Sequence, residues 1–454
     1  MSTPWAAQEF AGSVIPNRRS MHNLIKSTEV LSNVDGSSYS SIIGQAGRQA
    51  AKRLFDHTKC TPENLLKGHY EQTAARCSGQ DFILCIQDTT TLDYSTHTSK
   101  ENLGPINSNL ASRGLLAHSV LAFSSEGLPL GLLHLDLHIR DREAGHISQD
   151  RRTKAIEDKE SMKWLNGAKS VAKLLSHVPR VLIVQDREAD IFDFFAQPRR
   201  TGFDILIRAC HPRKVLLTEL DGIAPKDPTT MTAAIENAKV IGQIKVRIPR
   251  RGTRKERIAT LNIQVRPMTI LPPHRRPGKG ENVTVIRAEE ANPEPGSELI
   301  SWTLMTTVAI NSLEEAEKMV KNYEKRWVIE RFHHTLKSGC KVEKLQICSA
   351  HNLKNALAVY FMVAWKVMSI KYMADIHPDE SPKAVLDSDE IETLKMVCKR
   401  PVDTIRQAAI ELARLVGYEY YKNAPLPGDL TIWRGIKKIQ LILQGRNLER
   451  IRLT

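Results

Sequence analysis

Short apolar runs follow one another in the middle of the chain from Phe82 onward. The runs FILCI, HSVLAF, LPLGLLHLDLHI, VLIVQ and DILI are each compatible with a β-strand, and SSEG provides a turn between the second and the third. The segment EDKESMKWLNGAKSVAKLL has the length and spacing of an amphipathic helix. Together these segments predict a mixed α/β layer.

A regular alternation of apolar and polar residues marks the chain between Gly242 and Thr307. It occurs in QIKVRIPR, ATLNIQVR, NVTVIRA and LISWTLMTT. Because a period of two places one side-chain set in the core and the other in solvent, we expect an antiparallel sheet with one polar face here.

Both ends of the chain show helical periodicity instead. Residues 1 to about 78 contain the amphipathic segments MHNLIKSTEVL, IIGQAGRQAAKRLF and PENLLKGHYEQTA. Beyond about Asp375 the clearest helical segments are DTIRQAAIELARLVGYEYY and LTIWRGIKKIQLILQG. The most apolar run, Ala356 to Trp365, is about half the roughly 20 residues that cross a bilayer, so we expect a buried core helix.

The chain is strongly basic, and the charge is concentrated in one segment. Lys and Arg number 65 against 51 Asp and Glu among 454 residues, which gives a formal charge of +14. Between Lys239 and Arg287, thirteen Lys and Arg stand against two acids. This excess predicts a polyanionic partner, nucleic acid first, with a solubilising surface as the alternative.

The cysteines and the amino terminus indicate a reducing, cytoplasmic location. The seven cysteines are scattered and form no CxxC pair, so neither a disulfide framework nor a zinc ribbon is expected. The opening MSTPWAAQEF lacks the basic and apolar blocks of a signal peptide.

One predicted helix carries reactive side chains along a single stripe. Ser312 with Glu315 forms a capping box and Ser338-Gly339 a stop, so we expect the helix from about Leu313 to Ser338. At about 100° per residue, five side chains share one side, namely Tyr323, Arg326, Glu330, His334 and Lys337. The opposite side is apolar, with Val328, Ile329, Phe332 and Leu336. The alternative is an ordinary i,i+4 ion pair on a solvated helix.

Two aspartates follow apolar strands far from this helix in the sequence. Asp88 follows the run in FILCIQDTT, and Asp186 follows the run in VLIVQDREAD. Because groups just past the carboxyl ends of adjacent parallel strands face one crevice, we expect both aspartates to meet Glu330 there. Three close carboxylates repel one another unless divalent metal binds them, which predicts two-metal phosphoryl transfer on nucleic acid. Capping of a turn or helix is the alternative for each aspartate alone.

The neighbours of Glu330 suit the same chemistry. Arg326, His334 and Lys337 can hold a phosphate, and Tyr323 can donate a hydrogen bond to a phosphate oxygen. Trp302 offers a stacking plane for an unpaired base, unless it is simply part of the sheet core.

The sequence resembles the hairpin-forming DDE transposases of bacterial insertion sequences in the IS-four group, and most of all the transposon-five members of that group. The resemblance is carried by the spacing Y-x2-R-x3-E-x6-K and by the segments IQDTTTLDY, EDKESMKWL, QDREAD, RACHPRK and RWVIERFHHTLKSG. The resemblance covers nearly the whole chain. It implies an α/β fold with a ribonuclease H-like catalytic core and an inserted antiparallel β-sheet. The implied domains are a helical DNA-end-recognition domain at 1–78, a catalytic domain at 79–374 with its insertion at about 210–307, and a helical dimerisation domain at 375–454.

The same resemblance implies a cut-and-paste DNA transposase. Asp88, Asp186 and Glu330 would be the catalytic ligands of two Mg²⁺ ions, for which Mn²⁺ can substitute. The enzyme would nick the transposon end, form and open a DNA hairpin, and join the 3′ hydroxyls to target DNA. Its partners would be terminal inverted repeats, target DNA and a second copy of the chain. Each subunit would cut the transposon end that is held chiefly by the other subunit. The location would be the cytoplasm of a bacterial cell.

Six further residues resemble DNA contacts of that family. Trp302 resembles the residue that stacks on a flipped base, and Tyr323, Arg326 and Lys337 resemble the clamp on its phosphate. Arg208 and Arg213 resemble contacts near the hairpin.

Two positions depart from the family pattern. His334 stands where a relative carries a lysine, so a DNA contact there is expected to be weaker or pH-sensitive. Cys210 replaces another basic residue.

Two other functions fit parts of the same pattern. A ribonuclease H-like nuclease would hydrolyse DNA without joining it, although simple hydrolysis needs no clamp for a flipped base. A catalytically inactive DNA-binding regulator would not need all three carboxylates.

Overall fold

The computed structural model of the protein describes residues 5–31, 44–109, 111–141, 155–217, 228–248, 256–273, 278–293, 296, 298–421 and 424–453. The β-strands in these ranges are β1 (Phe82–Asp93), β2 (Gly104–Pro105), β3 (Arg113–Phe123), β4 (Pro129–His138), β5 (Arg180–Gln185), β6 (Phe203–Arg208), β7 (Lys214–Leu217), β8 (Thr229–Thr230), β9 (Val240–Ile248), β10 (Arg257–Ile270), β11 (Glu281–Glu290) and β12 (Ser301–Thr306). The predicted strands are confirmed.

Helices surround this sheet and fill both ends of the chain. The α-helices are α1 (Trp5–Glu9), α2 (Arg18–Leu31), α3 (Gly44–Phe55), α4 (Pro62–Cys77), α5 (Met162–Leu174), α6 (Phe192–Phe195), α7 (Met231–Glu236), α8 (Leu313–Glu324), α9 (Trp327–His334), α10 (Ala350–Ile376), α11 (Ser388–Cys398), α12 (Ile405–Arg414) and α13 (Asp429–Leu453). A π-helical turn at Thr335–Gly339 follows α9. The helices predicted at both ends of the chain are present.

The strands form a single mixed sheet. Its central order is β4, β3, β1, β5, β6, in which the first three strands are antiparallel and β5 and β6 run parallel to β1. Beyond β6 the order continues through β12, β11, β10, β7 and β8, and β9 also pairs with β10. The sheet thus combines a parallel centre with two antiparallel wings.

The basic strands extend the central sheet and do not form a separate one. Strand β12 pairs with β6 through antiparallel contacts such as Met305 with Ile207, so the strands β9 to β12 share the hydrogen-bond ladder of the centre. The antiparallel strands expected between Gly242 and Thr307 are present, and they are continuous with the central sheet. An open edge at β6 would leave backbone groups unpaired, and β12 covers it.

The positive charge of these strands is partly compensated by Glu256 within the segment Lys239 to Arg287 and by Glu289 and Glu290 just beyond it. Arg257 pairs with the buried Glu290, and Arg287 Nη2 lies 2.6 Å from Glu289. Arg247 pairs with Glu256 at 2.9 Å. Six of the thirteen cations lie outside the described residues, at 250, 251, 254, 255, 275 and 276.

Alternate residues of the central strands point to opposite faces of the sheet. Leu84 and Ile86 of β1 belong to the core shared with α8, α9 and α10, whereas Ile83 and Cys85 belong to the core under α5. Both cores need a helical cover because the parallel centre is apolar on both faces.

Helix α10 is the central core helix. It contains the run Ala356 to Trp365 and is 27 residues long, with most of its side chains buried in the protein. By length and composition alone it could cross a membrane, but its burial is that of the core helix expected from the sequence. Its last turns, with Ile370 and Ala374, also join the core of α11, α12 and α13.

A polar layer lies between α5 and the sheet. Gln87 and His118 are buried there, and the His118 ring stands edge-on to the Trp164 indole with 4.6 Å between ring centroids. Burial holds the pKa of His118 well below its usual range, so the ring is neutral. Gly167 lets α5 approach this layer, because an added Cβ would lie 2.3 Å from Gln87 Oε1.

Gly167→Ala is expected to destabilise the protein by about 1–3 kcal/mol, since the added methyl overpacks a buried hydrogen-bonded layer. Thermal unfolding measures the effect. Gly445→Ala in α13 is the matched control, because no atom lies within 4 Å of the added Cβ there and alanine favours a helix by about 1 kcal/mol. Equal or higher stability of the Gly167 variant would show that α5 packs less closely than described.

Candidate active site

Asp88 and Asp186 lie level with each other on adjacent parallel strands. The β1–β5 register ends at Ile86 with Val184, so Asp88 and Asp186 stand two residues further along each chain. Asp186 directly follows β5, as predicted, but Asp88 lies inside β1, which continues to Asp93 beside β3. The expectation that both follow strand ends is corrected, because β1 outlasts β5 by pairing on its other side.

The predicted helix from Leu313 to Ser338 is interrupted. It begins as expected, with Ser312 Oγ accepting from the Glu315 amide at 3.2 Å, but α8 ends at Glu324. A tight turn follows, in which the Arg326 amide donates to Tyr323 O at 2.9 Å, and α9 then starts. The turn and the π-helical segment alter the uniform 100° spacing, so the side chains deviate from the ideal stripe.

The stripe also faces inward more than predicted. Tyr323 and Arg326 are almost fully buried, Glu330 and Lys337 are half-buried, and His334 is exposed. On the other side Ile329, Phe332 and Leu336 are buried as expected, while Val328 is half-buried. The reactive side of the helix is therefore directed largely at the sheet end, where the aspartates lie.

Arg326 is the centre of the site. Its Nη2 lies 2.8 Å from Glu330 Oε1 and 3.9 Å from Asp186 Oδ2, and its Nη1 lies 3.5 Å from Asp88 Oδ2. One guanidinium thus contacts three carboxylates that are distant in the sequence. The structure brings the predicted triad together, with Arg326 compensating its charge.

The electrostatics of Asp88 reflect its burial. Loss of solvent raises the pKa of Asp88 from its ordinary value of 3.8 to about 6, and the nearby Asp186 and Glu330 raise it as well. The Thr89 amide, which donates to Asp88 Oδ1 at 2.7 Å, and Arg326 oppose that rise. For Arg326 burial disfavours the charged form, but the surrounding carboxylates prevail and raise the pKa of its guanidinium.

Lowering the pH from 7 to 5 is expected to stabilise the metal-free protein through Asp88. Its folded pKa of about 6 exceeds the ordinary value of 3.8, so the folded state binds this proton more tightly than the unfolded state. The stabilisation is complete below about pH 4 and is lost as the pH rises through 6. Thermal unfolding in chelator should show a smaller pH dependence for Asp88→Asn than for the wild type. An identical dependence in both proteins would contradict the raised pKa.

Two buried contacts hold the Glu330 helix against the sheet. The Ser119 hydroxyl of β3 lies 3.1 Å from Nε2 of His333, whose pKa burial lowers to about 3. After the π-helical turn, Tyr94 Oη donates to Val342 O at 3.0 Å. These contacts fix Glu330 relative to β1.

Aromatic and basic residues gather on the Asp186 side. Tyr323 Oη donates to Asp186 Oδ1 at 3.3 Å, and burial raises the pKa of this phenol to about 12. The Trp302 ring stands edge-on to Tyr323 with 5.8 Å between centroids. Arg208 lies close enough to favour the ionised form of Tyr323 electrostatically. Trp302 and Arg208 thus lie near Tyr323, whose hydroxyl contacts the triad, and their roles in DNA binding stay predictions.

Three predicted DNA contacts stand apart from this cluster. Among the described residues His334 has no polar side-chain partner, and Lys337 lies near Asp93 and His333 rather than the triad. Arg213 is nearly fully buried, and its Nε donates to Asp190 Oδ1 at 2.8 Å. The sequence did not predict this ion pair, which occupies the side chain expected to contact DNA.

Asp190, Cys210 and His211 also lie close together, with possible ligand atoms within 4.8 Å of one another. The Asp190 carboxylate already accepts from Arg213 and from the amides of Cys210 and His211 at 2.8 and 2.9 Å. Its oxygens are therefore engaged, and the adjacent guanidinium disfavours a cation. This group is best explained as a structural anchor of the loop after β6.

Sequence reasoning missed Trp327. It follows Arg326 directly, is 47% exposed, and its ring centroid lies 5.2 Å from the Arg326 guanidinium carbon. A large exposed aromatic beside the site offers a contact surface for a base or sugar. A tryptophan next to the arginine of the stripe was the available signal.

Two aspartates level with each other on adjacent parallel strands, together with a glutamate from the helix that packs against them, form an arrangement typical of metal-dependent phosphoryl-transfer enzymes. Residues 166–365 match the family described as the transposase DDE domain, and this range contains Asp186 and Glu330 and begins after Asp88. The match supports a DDE transposase, a DNA-cleaving, metal-dependent enzyme.

Among solved structures, the chain is similar to the piggyBac transposase in a cryo-EM synaptic complex with hairpin DNA. The likeness has a TM-score of 0.34 and 9% sequence identity, and it covers 85% of this chain and 57% of that chain. The chain therefore spans less than two thirds of the length of that transposase. Support for the family rests on the domain match.

Proposed function

We propose that the protein is a cut-and-paste DNA transposase in which Asp88, Asp186 and Glu330 are the catalytic residues. The observation that carries this proposal is the convergence of the three carboxylates on Arg326. The match of residues 166–365 to the transposase DDE domain gives independent support. The relationship to the IS-four group and its transposon-five members belongs to the same proposal.

We further propose a ribonuclease H-like core. The supporting feature is the central order β4, β3, β1, β5, β6 with three antiparallel strands followed by two strands parallel to β1. The proposed domains remain 1–78 for end recognition, 79–374 for catalysis and 375–454 for dimerisation. The shared core of Leu65 and Leu66 with the sheet means that the first two of these are packed together.

The residues at the site fit two Mg²⁺ ions. Carboxylate oxygens are the ligands that Mg²⁺ prefers, and the three carboxylates around Arg326 could hold divalent ions once the guanidinium moves away from them. Asp88, Asp186 and Glu330 would hold the ions, for which Mn²⁺ could substitute. When bound, the ions would polarise the phosphodiester and lower the pKa of the attacking water or 3′ hydroxyl.

The surrounding side chains would orient the DNA. Arg326, released from the carboxylates, would bind the phosphate beside the cleaved bond, and the Tyr323 hydroxyl would donate to the same phosphate. Lys337 and His334 would contact phosphates further along the helix. Trp302 would stack on a base turned out of the duplex, which relieves the strain of a tight DNA hairpin.

The order of steps follows from one chemistry used repeatedly. Water cleaves one strand at the transposon end, the resulting 3′ hydroxyl attacks the opposite strand to form a hairpin, and water opens the hairpin. The 3′ hydroxyl then attacks target DNA. In each step one phosphorus–oxygen bond replaces another, the attacking oxygen loses a proton and the leaving 3′ oxygen gains one.

The helices at the two ends would serve recognition and pairing. Arg18, Arg19, Lys52 and Arg53 are exposed on α2 and α3, where they can contact the terminal inverted repeats, while Arg48 has no described side chain. The C-terminal helices would join two copies into a synaptic complex that cleaves in trans. A bacterial cytoplasm with access to the nucleoid is the corresponding location.

Strand transfer tests the proposal against its alternatives. We expect the protein with Mg²⁺ to nick DNA that carries the ends of its own element, to produce a hairpin, and to join a precleaved 3′-hydroxyl end to a target plasmid. Cleavage without joining would identify a nuclease. Binding of end DNA without any Mg²⁺-dependent nicking would identify a regulator.

A further inference from the structure

A chain of hydrogen bonds connects α5 to Asp88 through the sheet. Gln87 Nε2 donates to Trp164 O at 3.5 Å, the longest link, and Gln87 Oε1 lies 3.1 Å from His118 Nε2. His118 Nδ1 lies 2.9 Å from Thr89 Oγ1, and the Thr89 amide donates to Asp88 Oδ1 at 2.7 Å. The chain therefore ends on one oxygen of a triad carboxylate.

The polar groups in this series of hydrogen bonds can be assigned as donors and acceptors in one consistent way. Because the Gln87 amide nitrogen faces Trp164 O, its oxygen must accept from His118 Nε2–H. In neutral His118 the other ring nitrogen then accepts from the Thr89 hydroxyl. Each partner has a defined role, so the side chain of Thr89 is held in one orientation.

The position of the Thr89–His118 hydrogen bond matters because the pairing of β1 with β5 ends just before it. The parallel pairing of β1 with β5 ends at Ile86, two residues before Asp88, and among the described strands β3 alone continues beside β1. The backbone around Asp88 is thus hydrogen-bonded to a neighbouring strand on one side, that of β3. The bond from Thr89 to His118, which lies on β3, ties the two remaining strands together at this level.

We propose that Thr89 and His118 are positioning residues for Asp88. By holding the Thr89 peptide they keep Asp88 Oδ1 bound to its amide, which leaves Oδ2 directed toward Arg326 and the metal site. This inference rests on the proposed function, since it assigns Asp88 as a metal ligand. Groups that orient metal ligands commonly alter metal affinity when they are removed.

Asp186 has no comparable anchor among the described residues. Gln185, one residue past the end of the β1–β5 pairing, is fully buried, yet neither of its side-chain amide atoms has a described partner. Among the described residues the side-chain contacts of the Asp186 carboxylate are with Tyr323 and Arg326. The two aspartates are thus held differently, Asp88 partly by a backbone amide and Asp186 by side chains alone.

Mn²⁺ binding to the full chain without DNA, measured by isothermal titration calorimetry, tests the proposal. Thr89→Val keeps the shape and the peptide N–H but removes the hydroxyl, and we expect it to weaken Mn²⁺ binding about tenfold. Thr89→Ser should restore most of the affinity. Ser170→Ala is the matched control, because it removes a hydroxyl–imidazole bond of 2.9 Å to His134 at the same interface, away from Asp88.

A second variant covers a possible loss of folding in the first. His118→Phe keeps a ring beside Trp164 and should weaken Mn²⁺ binding as much as Thr89→Val, with no further loss in the double variant. If folded Thr89→Val or His118→Phe bound Mn²⁺ with wild-type affinity, the positioning role would be overturned while the proposed metal site would stand. No Mn²⁺ binding by the wild type would overturn the metal site of the proposed function and this inference with it.

Discussion

Glu330→Gln is expected to abolish Mg²⁺-dependent nicking while binding of the element's end DNA remains. The amide keeps the size of the side chain and can still accept from Arg326, which lies 2.8 Å away, but it carries no charge for a metal ion. A loss of about 4 kcal/mol of transition-state stabilisation corresponds to about a thousandfold in rate. Single-turnover nicking of end DNA measures the rate, and a gel-shift titration measures binding.

The matched control for this change lies on the neighbouring helix. Glu324 is half-buried, and burial raises its pKa to about 7, so it tolerates a neutral side chain. Glu324→Gln should nick at the wild-type rate. Retained nicking in Glu330→Gln would refute the assignment of Glu330, and loss of nicking in both variants would point to a general effect on the helices.

Arg326→Met is expected to abolish nicking and to destabilise the metal-free protein. Methionine fills much of the same volume but leaves three carboxylates without their shared cation. We expect a loss of about 1–3 kcal/mol, less than for a fully buried pair because Asp186 and Glu330 retain solvent contact. Ca²⁺ should then raise the unfolding temperature more in the variant than in the wild type, since it relieves the same repulsion.

Lys321→Met on α8 provides the comparison for this variant. Lys321 is exposed and lies 2.7 Å from Glu317, so its loss should change stability by less than about 0.5 kcal/mol. Thermal unfolding with chelator and with Ca²⁺ separates the two effects. If Arg326→Met were as stable as the wild type and gained no more from Ca²⁺, Arg326 would not be the residue that balances the triad charge.

The sequence predicted the structure best for single strands and helices, which a local pattern of residues identifies. The apolar runs at Phe82–Asp93 and Arg180–Gln185 became strands, and the alternation after Gly242 became antiparallel strands. The cap at Ser312 marked the start of α8. These features depend on side chains within a few residues of each other, and so periodicity predicts them.

The site was predictable in composition but not in arrangement. The i,i+4 spacing of Arg326 and Glu330 indicated the ion pair that the structure contains at 2.8 Å, yet it did not indicate that Arg326 would also contact Asp88 and Asp186. That contact depends on the turn between α8 and α9, which is set by packing against the sheet. The burial of Arg213 with Asp190 has the same origin, because the two residues meet only when the loop after β6 folds back.

The sequence by itself determined which segments form strands and helices, the excess of positive charge, and the identities of three candidate acids. Only the tertiary structure decided that β12 joins β6 into one sheet, that Asp88 lies within β1 level with Asp186, and that Arg326 lies among the three carboxylates. The physical reason is range. Local periodicity is encoded by neighbouring residues, whereas strand register and ion pairing depend on the packing of the whole core and join distant groups such as Arg326 and Asp88, which are 238 positions apart.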